Sequence, residues 1–319
     1  DITMNTTTRP GHKHKAVGIN QDIALQRFFE EYGVTGDGPD TRSPMATAAA
    51  MATDTTLLTT TRAERFQRQV GSLNYFASTS RYDVSQAVGR LSQVTGSPTV
   101  SAEKELHRVL RYLAQHPHLS LSTERKGTVN HFEFYSDSDH AGDKLHTTKS
   151  TTGTIFLMNG APVHWASKKQ NSKQTAYSSA AAEIYALSES ARSAQLLVWR
   201  AEEMGMAVKW PLVLRVDNTQ SIAFQRNTCL QSRLRGVIDL RKQWVQELRD
   251  LNKIATAKIH TDENLADLFT KCLPGYKFQE KLNQIELKQL QREIVACTCS
   301  WGSPNFRGSI RVGRRGTRD

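Results

Sequence analysis

The spacing of apolar residues changes from the period of helices to the period of strands near Thr123. Before that point, apolar residues recur three and four positions apart, as on the buried face of an amphipathic helix. After it, residues 131–137 (HFEFYSD) alternate between apolar and polar, which is the pattern of a strand with one buried face. The chain therefore combines a helical part with a part that must build a sheet.

The helical part is predicted to cover residues 19–125, after a flanking segment of residues 1–18. Residues 19–32 and 64–121 carry apolar stripes at helical spacing. Between them, residues 33–61 are rich in Gly, Pro, Ala and Thr, which is typical of a loop or linker. We expect a small helical unit here.

The second part, residues 130–274, is predicted to be an α/β domain. Two β-rich runs after residue 137 are joined by Asn159-Gly160, a dipeptide that favours hairpin turns. A long helix without Pro or Gly follows. The predicted order β-β-β-α-β-α-α-β-α gives a five-stranded mixed sheet with flanking helices, from strands 131–137, 154–158, 163–167, 212–216 and 254–260 and helices 179–204, 219–225, 239–250 and 263–272.

The remaining residues, 275–319, are predicted to be a basic, disordered tail. One amphipathic stretch, residues 278–294, precedes an end that is rich in Gly, Arg and Ser. The arginines of this end are interpreted as solvated, and contact with nucleic acid is the alternative.

The charge of the chain favours a polyanionic partner. The formal net charge is +11, and each phosphate that a basic group neutralises releases counterions. A basic protein without such a partner is the alternative. No apolar run of transmembrane length occurs, so no membrane partner is predicted. The polar first residues lack a secretory signal, and four cysteines do not make a disulfide scaffold, which favours an intracellular compartment.

Four carboxylates lie at predicted strand ends or within predicted helices: Asp137, Glu183, Asp217 and Asp267. Mg²⁺ binds a few carboxylates together with substrate phosphate. Two such ions, about 4 Å apart, can activate water for phosphodiester cleavage. Each acid also has a structural interpretation, as a helix cap, a first-turn acid, a solvated helix residue or a turn former. Spacing alone does not decide between these interpretations.

Several ordered motifs resemble those of the Pol polyprotein of copia-type retrotransposons. Residues 135–143 (YSDSDHAGD), 149–170, 178–187 (SSAAAEIYAL), 216–224 (VDNTQSIAF) and 264–274 (NLADLFTKCLP) are similar to its ribonuclease H domain. Residues 70–93 and 105–113 resemble the end of its reverse transcriptase. The resemblance covers roughly residues 19 to 274. The paired aspartates of the polymerase motif are absent, so polymerisation by this chain alone is not expected.

The resemblance implies a ribonuclease H that cuts the RNA strand of RNA–DNA hybrids with two Mg²⁺ or Mn²⁺ ions. It assigns catalysis and metal binding to Asp137, Glu183, Asp217 and Asp267, with Asp139 as a second choice. The rest of the polyprotein is the implied protein partner, and the implied locations are cytoplasmic virus-like particles and then the nucleus.

Basic and polar residues beside these acids are predicted to contact the hybrid, with ordinary solvated side chains as the alternative. They are Lys168, Lys169, Lys173, Ser178, Ser179, Asn218, Arg233 and Arg235. Two other functions compete with this hypothesis. One is an inactive nucleic-acid-binding remnant, which the four retained acids disfavour. The other is an integrase-type or transposase-type nuclease, which the order of the acids disfavours.

Overall fold

The first 124 residues build helices and a small antiparallel sheet. The structure, a computed structural model, describes residues 2–8, 15–46, 50–51, 54–119, 121–124, 130–139, 149–170, 179–226 and 240–285. The N-terminal elements are β1 Thr3–Thr8, β2 Lys15–Asn20, α1 Asp22–Tyr32, α2 Thr60–Thr79, a 3-10 turn Tyr82–Val84, α3 Ser85–Ser92, α4 Val100–Gln115 and β3 Leu121–Glu124.

The small sheet was not predicted from the sequence. Strand β2 lies between β1 and β3, and both pairings are antiparallel. Ile19 pairs with Leu121, about a hundred positions further along the chain, so a local sequence window contains only one of the two partners. Residues 1–18, predicted as a flanking segment, therefore contribute strands to a sheet in their described part.

The second half of the chain forms a five-stranded mixed sheet in the order β6-β5-β4-β7-β8. Strands β4, β5 and β6 are antiparallel, whereas β7 and β8 run parallel to β4. The predicted fold class is confirmed. The elements are β4 Phe132–Asp139, β5 Thr151–Met158, β6 Ala161–Lys169, α5 Ser179–Glu203, β7 Leu212–Val216, α6 Thr219–Arg226, α7 Leu240–Asp250 and β8 Ile254–Lys258, followed by 3-10 turns Thr261–Glu263 and Leu265–Phe269 and by α8, residues 275–285.

The hairpin between β5 and β6 turns at the predicted dipeptide. Asn159 has φ 53° and Gly160 has φ 87°. A turn with positive φ at both central residues has the twist that antiparallel strands need, and Asn followed by Gly adopts it at low cost. The sequence therefore located this connection correctly.

The two faces of the main sheet pack in two separate cores. Phe134, Phe156 and Leu214 face α5 and α7. Tyr135 and Ile155, their neighbours along the strands, belong to the other core. Because successive side chains point to opposite faces of a strand, this alternation shows that the sheet is buried on both sides.

The helical unit covers the second face of the sheet and shares one core with it. Leu73, Leu106 and Leu113 are buried in the same cluster as Ile155 and Phe269. The predicted boundary near residues 125–130 thus separates two stretches of sequence that are packed together.

Polar and aromatic contacts reinforce this junction. The indole N–H of Trp165 donates a hydrogen bond to the carbonyl of Ala77 at 2.7 Å. The Trp165 ring also packs edge-on against Tyr82. An indole N–H is normally paired when it is buried, so this bond fixes β6 against the end of α2.

Helix α8 corrects the prediction that a disordered tail begins at residue 275. Phe278, Leu282 and Ile285 are buried in the core that the helical unit shares with the sheet, and Phe278 packs edge-on against Tyr112. Three apolar side chains at helical spacing give this segment a buried face. Residues 286–319 lie outside the described part of the chain.

We expect residues 130–285 alone to lack a cooperative fold, because removing residues 1–129 exposes one apolar face of the sheet. The measurement is thermal unfolding by near-ultraviolet circular dichroism, together with binding of a hydrophobic dye. Deletion of residues 286–319 is the matched control, since it removes none of the core residues named above. A sharp transition in the 130–285 fragment would contradict the shared core.

Candidate metal centre

Parallel strands bring two carboxylates to the same edge of the sheet. Asp137 lies near the end of β4, and Asp217 directly follows β7. Phe134 pairs with Leu214 in the parallel register of these strands. Since adjacent parallel strands end at one edge of a sheet, both side chains emerge at the same place.

A third carboxylate, that of Glu183, comes from the first turns of α5. Ala182 is fully buried beneath this end of the helix, so the backbone lies close to the sheet. The side-chain amide of Gln170 donates hydrogen bonds to the Ala182 carbonyl at 2.9 Å and to the Thr152 hydroxyl at 3.1 Å. Small residues and one amide therefore hold the start of α5 against β5.

Asp137, Glu183 and Asp217 form a group that fits a divalent cation. One carboxylate oxygen from each lies within 4.8 Å of the other two. Oxygen ligands from several carboxylates are what Mg²⁺ and Mn²⁺ prefer. The structure thus brings together three of the four acids predicted as ligands.

The crowding of these acids changes their proton affinities. Burial raises the pKa of Asp137 above its usual range; Lys271 opposes this shift, whereas Asp267 adds to it. Burial also raises the pKa of Glu183 to about 8, and the charges of Asp137 and Asp217 act in the same direction. A bound cation would favour the ionised forms of these carboxyls. At low pH metal binding must therefore displace protons from them, and the metal affinity falls as the pH falls.

Asp267, the fourth predicted ligand, lies outside this group. It belongs to the turn Leu265–Phe269, which is a 3-10 helix where an α-helix over residues 263–272 was predicted. Its carboxylate lies 2.8 Å from the Lys271 ammonium and 3.4 Å from that of Lys281. Burial disfavours the charged form of Lys271, but Asp137 and Asp267 outweigh this effect and raise its pKa.

A buried asparagine determines where this 3-10 turn lies. The Asn264 amide donates to the Ser136 carbonyl on β4 at 3.2 Å, and its side-chain oxygen accepts from the Ala266 N–H at 3.2 Å. Asn264 therefore caps the turn and fixes it to the strand that carries Asp137. Thr270 completes the contact by donating to Asp137 Oδ2 at 2.5 Å.

A glycine allows the turn to approach the sheet. Gly153 on β5 pairs with Asp137 on β4. A Cβ atom at this position would lie 2.5 Å from Thr270 Cγ2 and 2.7 Å from the Ala266 carbonyl oxygen. Any other residue at position 153 would push the turn away from Asp137.

The sequence of the chain is similar to that of known proteins. The retrovirus-related Pol polyprotein from transposon RE1 of Arabidopsis thaliana is 33% identical over 217 residues, which are 68% of this chain. That from transposon TNT 1-94 of Nicotiana tabacum is 31% identical over 214 residues, or 67% of this chain. The chain belongs to the copia-type Pol polyproteins. It spans 14% and 16% of the length of these two relatives.

The chain is also similar to a shorter protein and to a solved structure. The secreted RxLR effector protein 161 of Plasmopara viticola is 40% identical over 131 residues, which are 41% of this chain and 89% of that protein. The crystal structure of LC11-RNase H1 in complex with an RNA/DNA hybrid superposes with a TM-score of 0.33 and 13% identity, covering 44% of this chain and 94% of that one. No family model matches the chain.

The structure describes only some of the residues that were predicted to contact nucleic acid. Lys168 and Lys169 lie near the end of β6, and Lys169 is in register with Thr151, which pairs with Asp139. Two strand spacings, about 10 Å, thus separate them from the end of β4. Ser179 is exposed at the start of α5. Lys173, Ser178, Arg233 and Arg235 lie outside the described residues.

The positions of two other predicted site residues, Asn218 and Asp139, are described. Asn218 accepts a hydrogen bond from the Ser221 N–H at 3.3 Å, so its side-chain oxygen caps α6. Asp139 is the last residue of β4 and is not part of the group formed by Asp137, Glu183 and Asp217.

Sequence reasoning missed the residues that support Asp137. Thr270 and Lys271 lie within the motif of residues 264–274, and this was their only signal. Gly153 lies within the motif of residues 149–170, but nothing in that motif showed that it faces Thr270. Lys281 had no signal, because its contact with Asp267 comes from a different segment of the chain. Among the described helices, none combines the length and hydrophobicity needed to cross a membrane.

We expect Gly153→Ala to lower the free energy of unfolding by about 1–3 kcal/mol, the usual cost of overpacking a buried contact. Gly71→Ala is the matched control. Gly71 lies inside α2 with open space around its missing Cβ, so the same change should stabilise by about 0.5–1 kcal/mol. Urea unfolding of both variants measures the difference. Equal effects at the two positions would refute the close approach at Gly153.

We expect Glu183→Gln to stabilise the metal-free protein, and to do so more at pH 8 than at pH 5. A carboxyl whose pKa is raised on folding from 4.5 to about 8 costs stability as the pH rises through that interval, and the amide does not. The measurement is Tm in the presence of chelator. Glu64→Gln, at an exposed position in α2, is the control and should shift Tm equally at both pH values.

Proposed function

We propose that this chain contains the ribonuclease H of a copia-type Pol polyprotein and that it hydrolyses the RNA strand of RNA–DNA hybrids. The convergence of Asp137, Glu183 and Asp217 carries this proposal. Asp137 lies near the end of β4, Asp217 directly follows β7, and Glu183 lies in the first turns of α5. All three belong to sequence motifs that resemble those of the family. Kinship with Pol polyproteins supports the same function.

The donor set suits phosphodiester hydrolysis. Bound to these three carboxylates, Mg²⁺ or Mn²⁺ supplies positive charge that polarises a scissile phosphate and lowers the pKa of a water molecule. Other residues of the protein hold the ligands in position. Gln170 donates a hydrogen bond to the start of α5, which carries Glu183, and Thr270 donates one to Asp137. The reaction requires no side-chain nucleophile.

The substrate surface lies along the same edge of the sheet. Lys168 is exposed two strands away from Asp137, and Ser179 is exposed at the start of the helix that carries Glu183. A hybrid duplex is recognised through its backbone shape and its 2′-hydroxyls, and basic and hydroxyl side chains suit such contacts. By kinship we also propose the remaining polyprotein as partner, and cytoplasmic particles and then the nucleus as locations.

We expect the chain to cleave a labelled RNA–DNA hybrid with Mg²⁺ or Mn²⁺, and Asp217→Asn to lower the rate by more than about a hundredfold, since the loss of a ligand exceeds the usual cost of losing an outer-shell partner. Asp250→Asn is the matched control, because this aspartate is exposed at the end of α7. Single-stranded RNA and duplex DNA test the specificity for the hybrid.

The possible outcomes separate the candidate functions. Cleavage of the hybrid alone, abolished by chelator and by Asp217→Asn, supports the ribonuclease H. Binding of the hybrid without cleavage at any Mg²⁺ or Mn²⁺ concentration would instead favour the inactive remnant. Cleavage of duplex DNA would favour the integrase-type nuclease.

A further inference from the structure

The ammonium group of Lys271 lies between two of the predicted metal ligands. Its Nζ is 3.3 Å from Asp137 Oδ2 and 2.8 Å from Asp267 Oδ1. The Lys271 side chain is 38% exposed, whereas those of Asp137 and Asp267 are almost completely buried. The region between these two carboxylates therefore already holds a positive charge.

A second lysine holds the other oxygen of Asp267. Lys281, on α8, lies 3.4 Å from Asp267 Oδ2 and is itself 4% exposed. Its ammonium donates to the carbonyls of Thr261 at 2.8 Å and Asn264 at 2.9 Å. Three oxygen partners fix Lys281 in place, so a cation that approached Asp267 would have to compete with both lysines.

The charges of the site favour one divalent cation. Asp137, Glu183, Asp217 and Asp267 bring four negative charges when ionised, and Lys271 and Lys281 bring two positive charges. One divalent ion neutralises the difference. A second ion would leave two uncompensated positive charges beside the buried carboxylates of Asp137 and Asp267 before the substrate arrives, and the low exposure of these groups makes that unfavourable.

We propose that Lys271 is a built-in cation of the site, so that one divalent ion binds at Asp137, Glu183 and Asp217 while the Lys271 ammonium occupies the place of a second. Asp267 is then a positioning residue that holds Lys271 against Asp137. The inference rests on the proposed function only in that a divalent ion binds the three carboxylates. The two-ion site implied by the sequence resemblance is the alternative.

Neighbouring contacts keep Lys271 in this position. Thr270, the preceding residue, donates to Asp137, and the turn that leads to it is capped by Asn264. The missing Cβ of Gly153 leaves room for Thr270 and for the Ala266 carbonyl beside the sheet. The segment that precedes Lys271 is thus held against the sheet by its own contacts, and these contacts position the ammonium beside Asp137.

Titration of the full chain with Mn²⁺, followed by calorimetry and by the electron paramagnetic resonance of the free ion, tests this inference. We expect one bound ion per wild-type chain. Lys271→Gln should bind a second ion, or bind the first at least about tenfold more tightly, because the repulsive ammonium is gone. Lys277→Gln is the matched control; this lysine lies 3.9 Å from Asp262 on the surface, and its loss should leave both quantities unchanged.

Two results would overturn the inference: two bound ions in the wild type, or the same stoichiometry and affinity in Lys271→Gln as in the wild type. If Lys271→Gln fails to fold, the wild-type stoichiometry still decides. Hybrid cleavage is measured separately. A chain that binds one Mn²⁺ but cuts no hybrid would refute the proposed function and leave the inference intact, whereas two ions with cleavage would do the reverse.

Discussion

The buried carboxylate of Asp137 is the constraint on which the rest of the sheet edge depends. Its side chain is 2% exposed, and an ionised carboxylate in such a place is costly unless charged or polar groups compensate it. The compensation comes from one short segment, in which Thr270 donates a hydrogen bond and Lys271 supplies a positive charge. The position of that segment therefore favours the ionised form of Asp137, against the effect of burial.

The same segment belongs to the core that joins the two halves of the chain. Leu265, Leu268 and Phe269 flank Asp267 in sequence, and they are buried together with Leu106 of α4. Packing that stabilises the fold thus also holds the turn against β4. Fold and site cannot be varied independently here, because the residues that bury the sheet are adjacent to those that compensate Asp137.

The sequence predicted the elements whose signal is local. The strand from Leu212 to Val216 and the turn at Asn159 were predicted correctly, because an apolar run and an Asn-Gly pair act within a few residues. The strands of residues 3–8 and 15–20 were missed. They are defined by their pairing with each other and with the strand that contains Leu121, and no apolar alternation within a short window indicates that pairing.

The candidate site shows the same division between local and distant information. The resemblance, and not spacing alone, assigned four acids to one site, and three of them, Asp137, Glu183 and Asp217, do converge. The surroundings of Asp267 were not predictable in this way. Lys271 is four residues from it in sequence, but Lys281 reaches it from a helix within a segment that was predicted to be disordered. Whether an acid binds a metal ion or a lysine depends on such distant partners, and the sequence around the acid does not contain them.

Helix α8 links these two levels of organisation. One of its faces buries Phe278 and Leu282 in the shared core, and between them in sequence Lys281 reaches back to Asp267. A buried ammonium is costly unless it is fully paired, and the carbonyls of Thr261 and Asn264 supply the remaining partners. The apolar contacts of α8 therefore stabilise a charge that sets the electrostatics of the site. A segment that looks peripheral in sequence therefore contributes to the candidate metal centre.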